Sequence, residues 1–312
     1  MLYEHEKIIA GFTTKPTRLD HYLSDNLKNK SRSMVQAHIK AGKVTVNGKK
    51  SKSSYIVKGE DEILWMESFR KHDEIVPLAV QLNIFYETAD IIVINKPAGM
   101  PMHPGLGNYG NTLLNALQHY YEEKGEPENL VKDCLVQRID KNTTGIVAIP
   151  KHKEAYEALD AQFSTKSTLR EYQAIVWGNP VNDEGTLRNY MGRNPQNLMS
   201  IEVSDDKSFG KEAVTHYKVL KRLGDITLVS CRLETGRTHQ IRLHMKHLGH
   251  PLVGDERYFM KGVEKRQDIL KVMTRHALHA KTLGFVEPFT GKELVFDSEL
   301  PQDFSDVLSL CK

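Results

Sequence analysis

The 312-residue chain carries a net charge of +3, with 39% hydrophobic and 27% charged residues, apolar material enough for one large domain and a small one. No stretch approaches the ~20 consecutive apolar residues of a membrane span, and MLYEHEKIIAGF has neither the basic start nor the apolar run of a signal peptide, so a cytoplasmic protein with no membrane partner is expected. Cys134, Cys231 and Cys311 are odd in number and scattered, which argues against a disulfide framework and a cysteine-built zinc site.

Residues 1–12 read as an N-terminal arm. Between Thr13 and Gly59 eleven lysines and arginines face only Asp20 and Asp25, so the remainder of the chain is net acidic. A one-signed patch on a small folded unit is the footprint of a polyanion partner, although a solvated basic face has the same composition. Leu19, Leu23 and Leu27, with Tyr22, mark a short amphipathic helix. A second helix is capped by Ser31 or Ser33, lines one face with Met34, Val35, His38 and Ile39, and ends at Gly42. Val44 and Val46 then alternate before Asn47-Gly48, a hairpin signal. Asp61 to Trp65 supplies the last strand, and residues 66–80, ending in the Pro77 region, read as a connector.

Beyond it the pattern is strand-rich with inserted helices. FYETADIIVINK reads as strand, turn, strand; NTLLNALQHYYEE as a helix; TGIVAIPK as a strand; HKEAYEALDAQF as a helix; and REYQAIVWG as a strand. EAVTHYKVLKRL and DITLVSCRLE form a hairpin pair before a helix beginning near Thr238.

Gly105, Gly107 and Gly110 fit the G-x-G-x-x-G string of dinucleotide-binding folds. The preceding strand ends near Lys96, however, so the first glycine does not follow a strand; an active-site loop, with no nucleotide cofactor, is expected. His239, His244, His247 and His250 cluster, with His276 and His279 further on, but no H-E-x-x-H element occurs and the cysteines lie elsewhere, so no metal is expected.

QRIDKNTTG, residues 137–145, places Arg138 and Asp140 two apart at a loop feeding an apolar strand, where a rigid scaffold holds a reactive side chain. Taken alone, R-x-D is more often a local ion pair than a catalytic site.

The run from Arg18 to Gly48 resembles the small RNA-binding domain named after ribosomal protein S-four, matched over about residues 13–65. That resemblance assigns RNA phosphates to Lys28, Lys30, Arg32, Lys40 and Lys43. QRIDKNTTGIVAIPK resembles the signature of the RluA-type pseudouridine synthases, and NKPAGMPMHP, REYQAIVWG, LETGRTHQIRLHMKHLGHPLVGDERY and RHALHAKTLGFVEP agree with the same family in order and spacing. Domains at 13–74 and 75–312 follow. The implied fold is α+β: a small N-terminal α/β RNA-binding domain, then a synthase domain with a mixed, mainly antiparallel sheet and a central cleft.

The implied activity is isomerisation of uridine to pseudouridine in structured RNA, most naturally large-subunit ribosomal RNA, by a monomer without cofactor. Carried onto this chain, the catalytic residues are Asp140, Tyr172 and Arg242. Asp140 acts beside the sugar, either by covalent addition or as a base through a glycal. Arg242 is the cation that favours a charged carboxylate, and Tyr172 gives the uracil a flat surface. Arg138 enters the vacated stack when the base flips, and Thr143, Thr144, Arg237, Thr238, His239 and Gln240 line the RNA or sugar side. Gln137 departs from the family's usual histidine and Arg170 from its commoner lysine. The alternatives are a catalytically silent RNA-binding or ribosome-assembly factor on this scaffold, a synthase acting on transfer RNA, and a metal-dependent nuclease using the histidines.

Overall fold

A computed structural model describes residues 3–11, 15–27, 31–68, 75–105, 108, 110–126, 135–194, 197–259, 261–262 and 266–311. The chain divides into two compact units, Met1–Glu74 and Ile75–Lys312. Lys28, Lys30 and Cys134 lie outside the described residues.

The first unit contains β1 (Tyr3–Ile9), β2 (Thr17–Arg18), α1 (Leu19–Asn26), α2 (Arg32–Lys40), β3 (Val44–Val46), β4 (Lys49–Lys50), β5 (Ile56–Val57) and β6 (Glu62–Ser68). Leu19, Leu23 and Leu27 pack with Val35, Ile39, Val44, Val46, Ile63 and Trp65. Ser31 caps α2 by accepting from the Met34 N–H, and Gly42 continues past the helix end at φ 70°, the left-handed conformation glycine takes without strain. Met34, expected on the packed face, is exposed, because Val35 and Ile39 centre that face one residue round; His38 instead stacks on Trp65 at 4.4 Å. Asn47 and Gly48, both with positive φ, turn β3 into β4. The sheet order is β1-β6-β3-β4. Residues 3–9, read in sequence as part of an arm, thus form a strand antiparallel to β6, and β6 itself runs on to Ser68 through the start of the expected connector.

The second unit begins with a docked segment: Leu78 N–H donates to Asn115 O, and Asn115 Nδ2 to Val76 O. Its elements are β7 (Ile84–Glu87), β8 (Ile91–Lys96), α3 (Leu113–Lys124), β9 (Thr144–Pro150), α4 (Lys153–Ser164), β10 (Leu169–Trp177), β11 (Glu184–Asn194), β12 (Asn197–Ser204), β13 (Lys211–Leu223), β14 (Ile226–Leu233), α5 (Gln240–His247), α6 (Gln267–Val272), β15 (Leu278–Val286), β16 (Glu293–Asp297) and α7 (Gln302–Leu310). They form a ten-stranded sheet of order β12-β11-β13-β14-β10-β15-β9-β8-β7, with β16 paired to β15. Among the described residues β9 and β15 run parallel and the other named neighbours antiparallel.

The continuous apolar runs of β8 and β9 follow from burial on both faces. Ile92, Ile94, Val147 and Ile149 pack with Leu113, Leu117 and Tyr121 of α3 and with Ile241 and Met245 of α5. The alternate residues Ile91, Val93, Ile146 and Ala148 meet Leu159 and Phe163 of α4. Farther along, Ile175 and Trp177 pack on α6 and α7 through Ile269, Phe304 and Val307. The sheet is thereby fixed from both sides, and the loop entering β9 inherits that rigidity. No helix among the described residues is long and apolar enough to cross a membrane.

Candidate active site

Three side chains and one arginine, Lys96, His276, His279 and Arg275, hold the loop that runs from Leu135 into β9. Lys96, fully buried at the end of β8, donates through Nζ to the carbonyls of Pro97 (2.8 Å), Met100 (2.8 Å) and Lys141 (3.1 Å). Arg275 donates to Asn142 O (2.9 Å) and is itself gripped by Asp303 of α7. Thr143 Oγ1 shares a hydrogen bond with His276 Nε2 and Thr144 Oγ1 with His279 Nδ1, both at 2.8 Å. Asp140 is thus carried on a loop whose carbonyls and hydroxyls are bonded to the sheet beneath.

The carboxylate meets Arg242 of α5: Nη1 donates to Asp140 Oδ2 at 2.8 Å. The rest of the guanidinium forks onto Asp255, Nε to Oδ2 at 2.7 Å and Nη2 to Oδ1 at 2.9 Å. The Asp255 side chain is wholly buried and also accepts from the N–H groups of Arg257 and Tyr258. Burial disfavours the Arg242 cation, but the two carboxylates outweigh it and push its pKa up. Asp140 Oδ1 lies 3.8 Å from His239 Nε2. Burial pushes the His239 pKa below its ordinary value against the pull of Asp140, and its Nδ1 bonds with Tyr258 Oη at 2.8 Å.

Asp140 and Tyr172 line one cleft of about 730 Å³, a volume suited to a small ligand or a single nucleotide. Tyr172 is buried on β10, and burial pushes its phenol up to about 12, so it stays protonated at neutral pH. Lys96 is pushed down to about 7 by burial, with Asp140 pulling the other way.

The other sequence candidates separate into two groups. Arg138, Arg237 and Thr238 are exposed at the cleft, and Arg138 Nη1 stands 3.5 Å from His103 Nε2 on the opposite loop. Thr144 and Gln240 turn inward. The Thr144 hydroxyl is taken by His279, and Gln240 is a buried clamp that binds the Arg237 N–H, the Thr235 hydroxyl, Val214 O and Thr215 Oγ1. Thr143 lines the floor with its hydroxyl committed to His276. These three are positioned to fix loops rather than to offer free groups to a substrate.

Lys96, Asp255, Arg275 and Asp303 were missed by sequence reasoning. Asp255 stands inside the GDERY segment, and Lys96 is a charge ending an apolar strand. Of the expected glycine loop Gly107 lies outside the described residues and Asn108 Oδ1 accepts from Lys141; the cleft wall takes Pro101, Met102 and His103 from the segment before it. The clustered histidines are dispersed among separate partners: His244 with Thr215, His250 with the Trp177 carbonyl, His276 and His279 with the two threonines. Among the described residues no group of three His, Cys, Asp or Glu side chains could hold a metal.

In the first unit Lys40 is exposed beside Lys50 and Lys52 around an open depression of about 610 Å³. Arg32 Nε reaches Asp20 Oδ2 at 3.2 Å, and the buried Asp20 also accepts from Arg18 and Gln36. Its carboxyl is held well below the ordinary range, chiefly by Arg18. Lys43, half-buried, directly precedes β3.

Residues 90–247 match the family model described as RNA pseudouridylate synthase, and residues 17–63 match the S4 domain. An RNA pseudouridine synthase of Bacillus subtilis is 38% identical over 301 residues, 96% of either chain. A ribosomal large subunit pseudouridine synthase D of Blochmanniella floridana is 37% identical over 310 residues, covering 95% of this chain and 94% of that one. The solved structure of human RNA pseudouridylate synthase domain containing 1 aligns with a TM-score of 0.57 at 25% identity, over 74% of this chain and 87% of that one.

Proposed function

The chain belongs to the RNA pseudouridylate synthase family, and from that membership we propose an enzyme that isomerises uridines of large-subunit ribosomal RNA with Asp140 as its reacting carboxylate. The observation that carries the reading of the site is the Asp140–Arg242–Asp255 chain, whose Asp140 lines the cleft. Isomerisation breaks the bond from ribose C1′ to uracil N1, rotates the base, joins C1′ to C5, and moves the C5 proton away while N1 gains one. There is no net redox change or hydrolysis, so the reaction calls for no co-substrate and no nucleotide cofactor.

Arg242 occupies Oδ2 of Asp140, leaving Oδ1 as the oxygen that faces the sugar, whether it adds to C1′ or removes a sugar proton to give a glycal. Tyr172, neutral and buried, offers a ring to the uracil. A base inside structured RNA must first be flipped out at a cost of a few kcal/mol, and the exposed Arg138 is placed at the mouth to enter the vacated stack. Basic side chains of the first unit, Lys40 among them, hold phosphates of the same RNA. The ribosomal target rests on the relative from Blochmanniella, whose name states it; on the same reading the enzyme works as a monomer in the cytoplasm.

The test is pseudouridine mapping on a large-subunit ribosomal RNA transcript incubated with the full chain. Site-specific pseudouridine is expected from the wild type and none from Asp140→Asn; full activity in that variant would sink the assignment of the carboxylate.

A further inference from the structure

Arg170 is the anomaly of the cleft. It sits on β10 two residues before Tyr172, lines the same cleft and is only 8% exposed. Its Nη2 donates to the Glu234 carbonyl at 2.9 Å, and its guanidinium lies 5.5 Å from the centre of the Phe163 ring. Its Nε is buried with no hydrogen-bond partner. Among the described residues no carboxylate pairs with it. Glu234 gives its carboxylate to Lys166 and His216, Glu171 accepts from Ser230, and Asp140 is held by Arg242. The other buried arginines of the site are neutralised, Arg242 by two carboxylates and Arg275 by Asp303. A desolvated cation without a counter-charge is costly.

Gly236 is the second observation. Its φ lies outside the left-handed region, so the backbone there does not require glycine, and a Cβ at this position would meet a single neighbour, Arg170 Nη1, at 3.4 Å. The missing side chain leaves that edge of the guanidinium open to the cleft.

We propose that Arg170 and the gap at Gly236 form a phosphate subsite that takes a backbone phosphate adjoining the target uridine. The inference rests on the reading of this cleft as a uridine site. With uracil on Tyr172 and ribose at Asp140, the anionic part of the nucleotide still to be placed is the phosphodiester. A uracil carbonyl would satisfy an N–H but not the charge; a phosphate satisfies both, and a guanidinium meets it with paired donors. Arg170 is then a substrate-positioning residue, fixing the sugar over Asp140.

The experiment measures binding of a large-subunit ribosomal RNA transcript to the full chain across a KCl series, with KM for pseudouridine formation alongside. Arg170→Met should lower the slope of log affinity against log salt by roughly 0.7 to 0.9, one phosphate's worth, while Arg170→Lys keeps it. Gly236→Val, which covers Nη1 without removing a buried charge, should raise KM by on the order of tenfold, the range of a lost hydrogen bond to a charged group, with thermal stability unchanged. An unchanged slope in Arg170→Met overturns the subsite, as does an unaltered KM in Gly236→Val; if Arg170→Met does not fold, Gly236→Val decides. A wild type that binds RNA but forms no pseudouridine refutes the proposed function instead, and the salt slopes still report on Arg170.

Discussion

Arg242 is forked onto Asp255 through Nε and Nη2, so that Nη1 alone remains for Asp140. The aim of the guanidinium that meets Asp140 is therefore set by a carboxylate whose side chain is wholly buried. Asp255→Asn should leave Asp140 and Arg242 in the sequence yet free the guanidinium to rotate. Single-turnover rates are expected to fall by about 10- to 100-fold, as for other positioning partners, with RNA affinity within a few-fold of wild type. Loss of affinity with an intact rate would show that Asp255 acts elsewhere. Arg242→Lys should resemble it, because an ammonium has no fork to fill both sites.

Lys96 ties three carbonyls from two loops, and one of them, Lys141 O, adjoins Asp140. Lys96→Met keeps the apolar stem and leaves those carbonyls without their donor, each worth about 1–3 kcal/mol when buried. A melting temperature several degrees lower and a reduced kcat are expected together. A variant with a lower melting temperature and full kcat at a permissive temperature would separate the fold from the loop and refute the positioning role.

Asp140, Tyr172 and Arg242 are singled out by a family resemblance whose motifs hold residue types at nearly fixed spacings, and the fold puts Arg242 on Asp140 and Tyr172 in the same cleft as that carboxylate. Their supports are not singled out. Lys96 reads as an ordinary strand end, and its role depends on carbonyls brought together by a loop closure. Thr144 sits inside the most informative motif yet faces His279, since neighbouring residues of a strand point to opposite sides. β11 escaped notice because this half-exposed strand, rich in Asn, Arg and Gly, lacks the apolar run that marked β8. The two helices of the first unit announced themselves through leucine spacing and a serine cap.

Acid should unfold the second unit through its buried histidines. Burial pushes His244 and His279 from an ordinary 6.5 down to about 4. Their folded pKa values lie below the unfolded ones, so between pH 6.5 and 4 the unfolded chain binds more protons, and stability falls as pH drops through that window. Each contributes on the order of 3 kcal/mol by pH 4. Urea midpoints measured from pH 7 to pH 4 should decline steeply below pH 6.5, and His279→Gln should flatten part of the decline. A midpoint constant from pH 7 to pH 4.5 would contradict the burial of both rings.

Gly145 is where loop, parallel strand pair and active site meet. It stands at φ 115°, directly after Thr144, opposite Ala280 in the β9·β15 pairing, and a Cβ there would lie 2.2 Å from the Ala280 carbonyl oxygen. Neither atom is the end of a flexible side chain, so relief requires the two strands to separate. That pairing joins β7, β8 and β9 to the rest of the ten-stranded sheet, and it also sets the height at which Asp140 leaves the sheet. Gly145→Ala should therefore destabilise by at least about 3 kcal/mol, combining positive-φ strain with the clash, which for a unit of this size lowers the melting temperature by roughly 6–12 °C. Any folded fraction should be catalytically impaired more than its RNA affinity. Calorimetry and single-turnover assays on the same preparation check both, and a Gly145→Ala protein with wild-type melting and rate would mean that β9 and β15 do not approach as described.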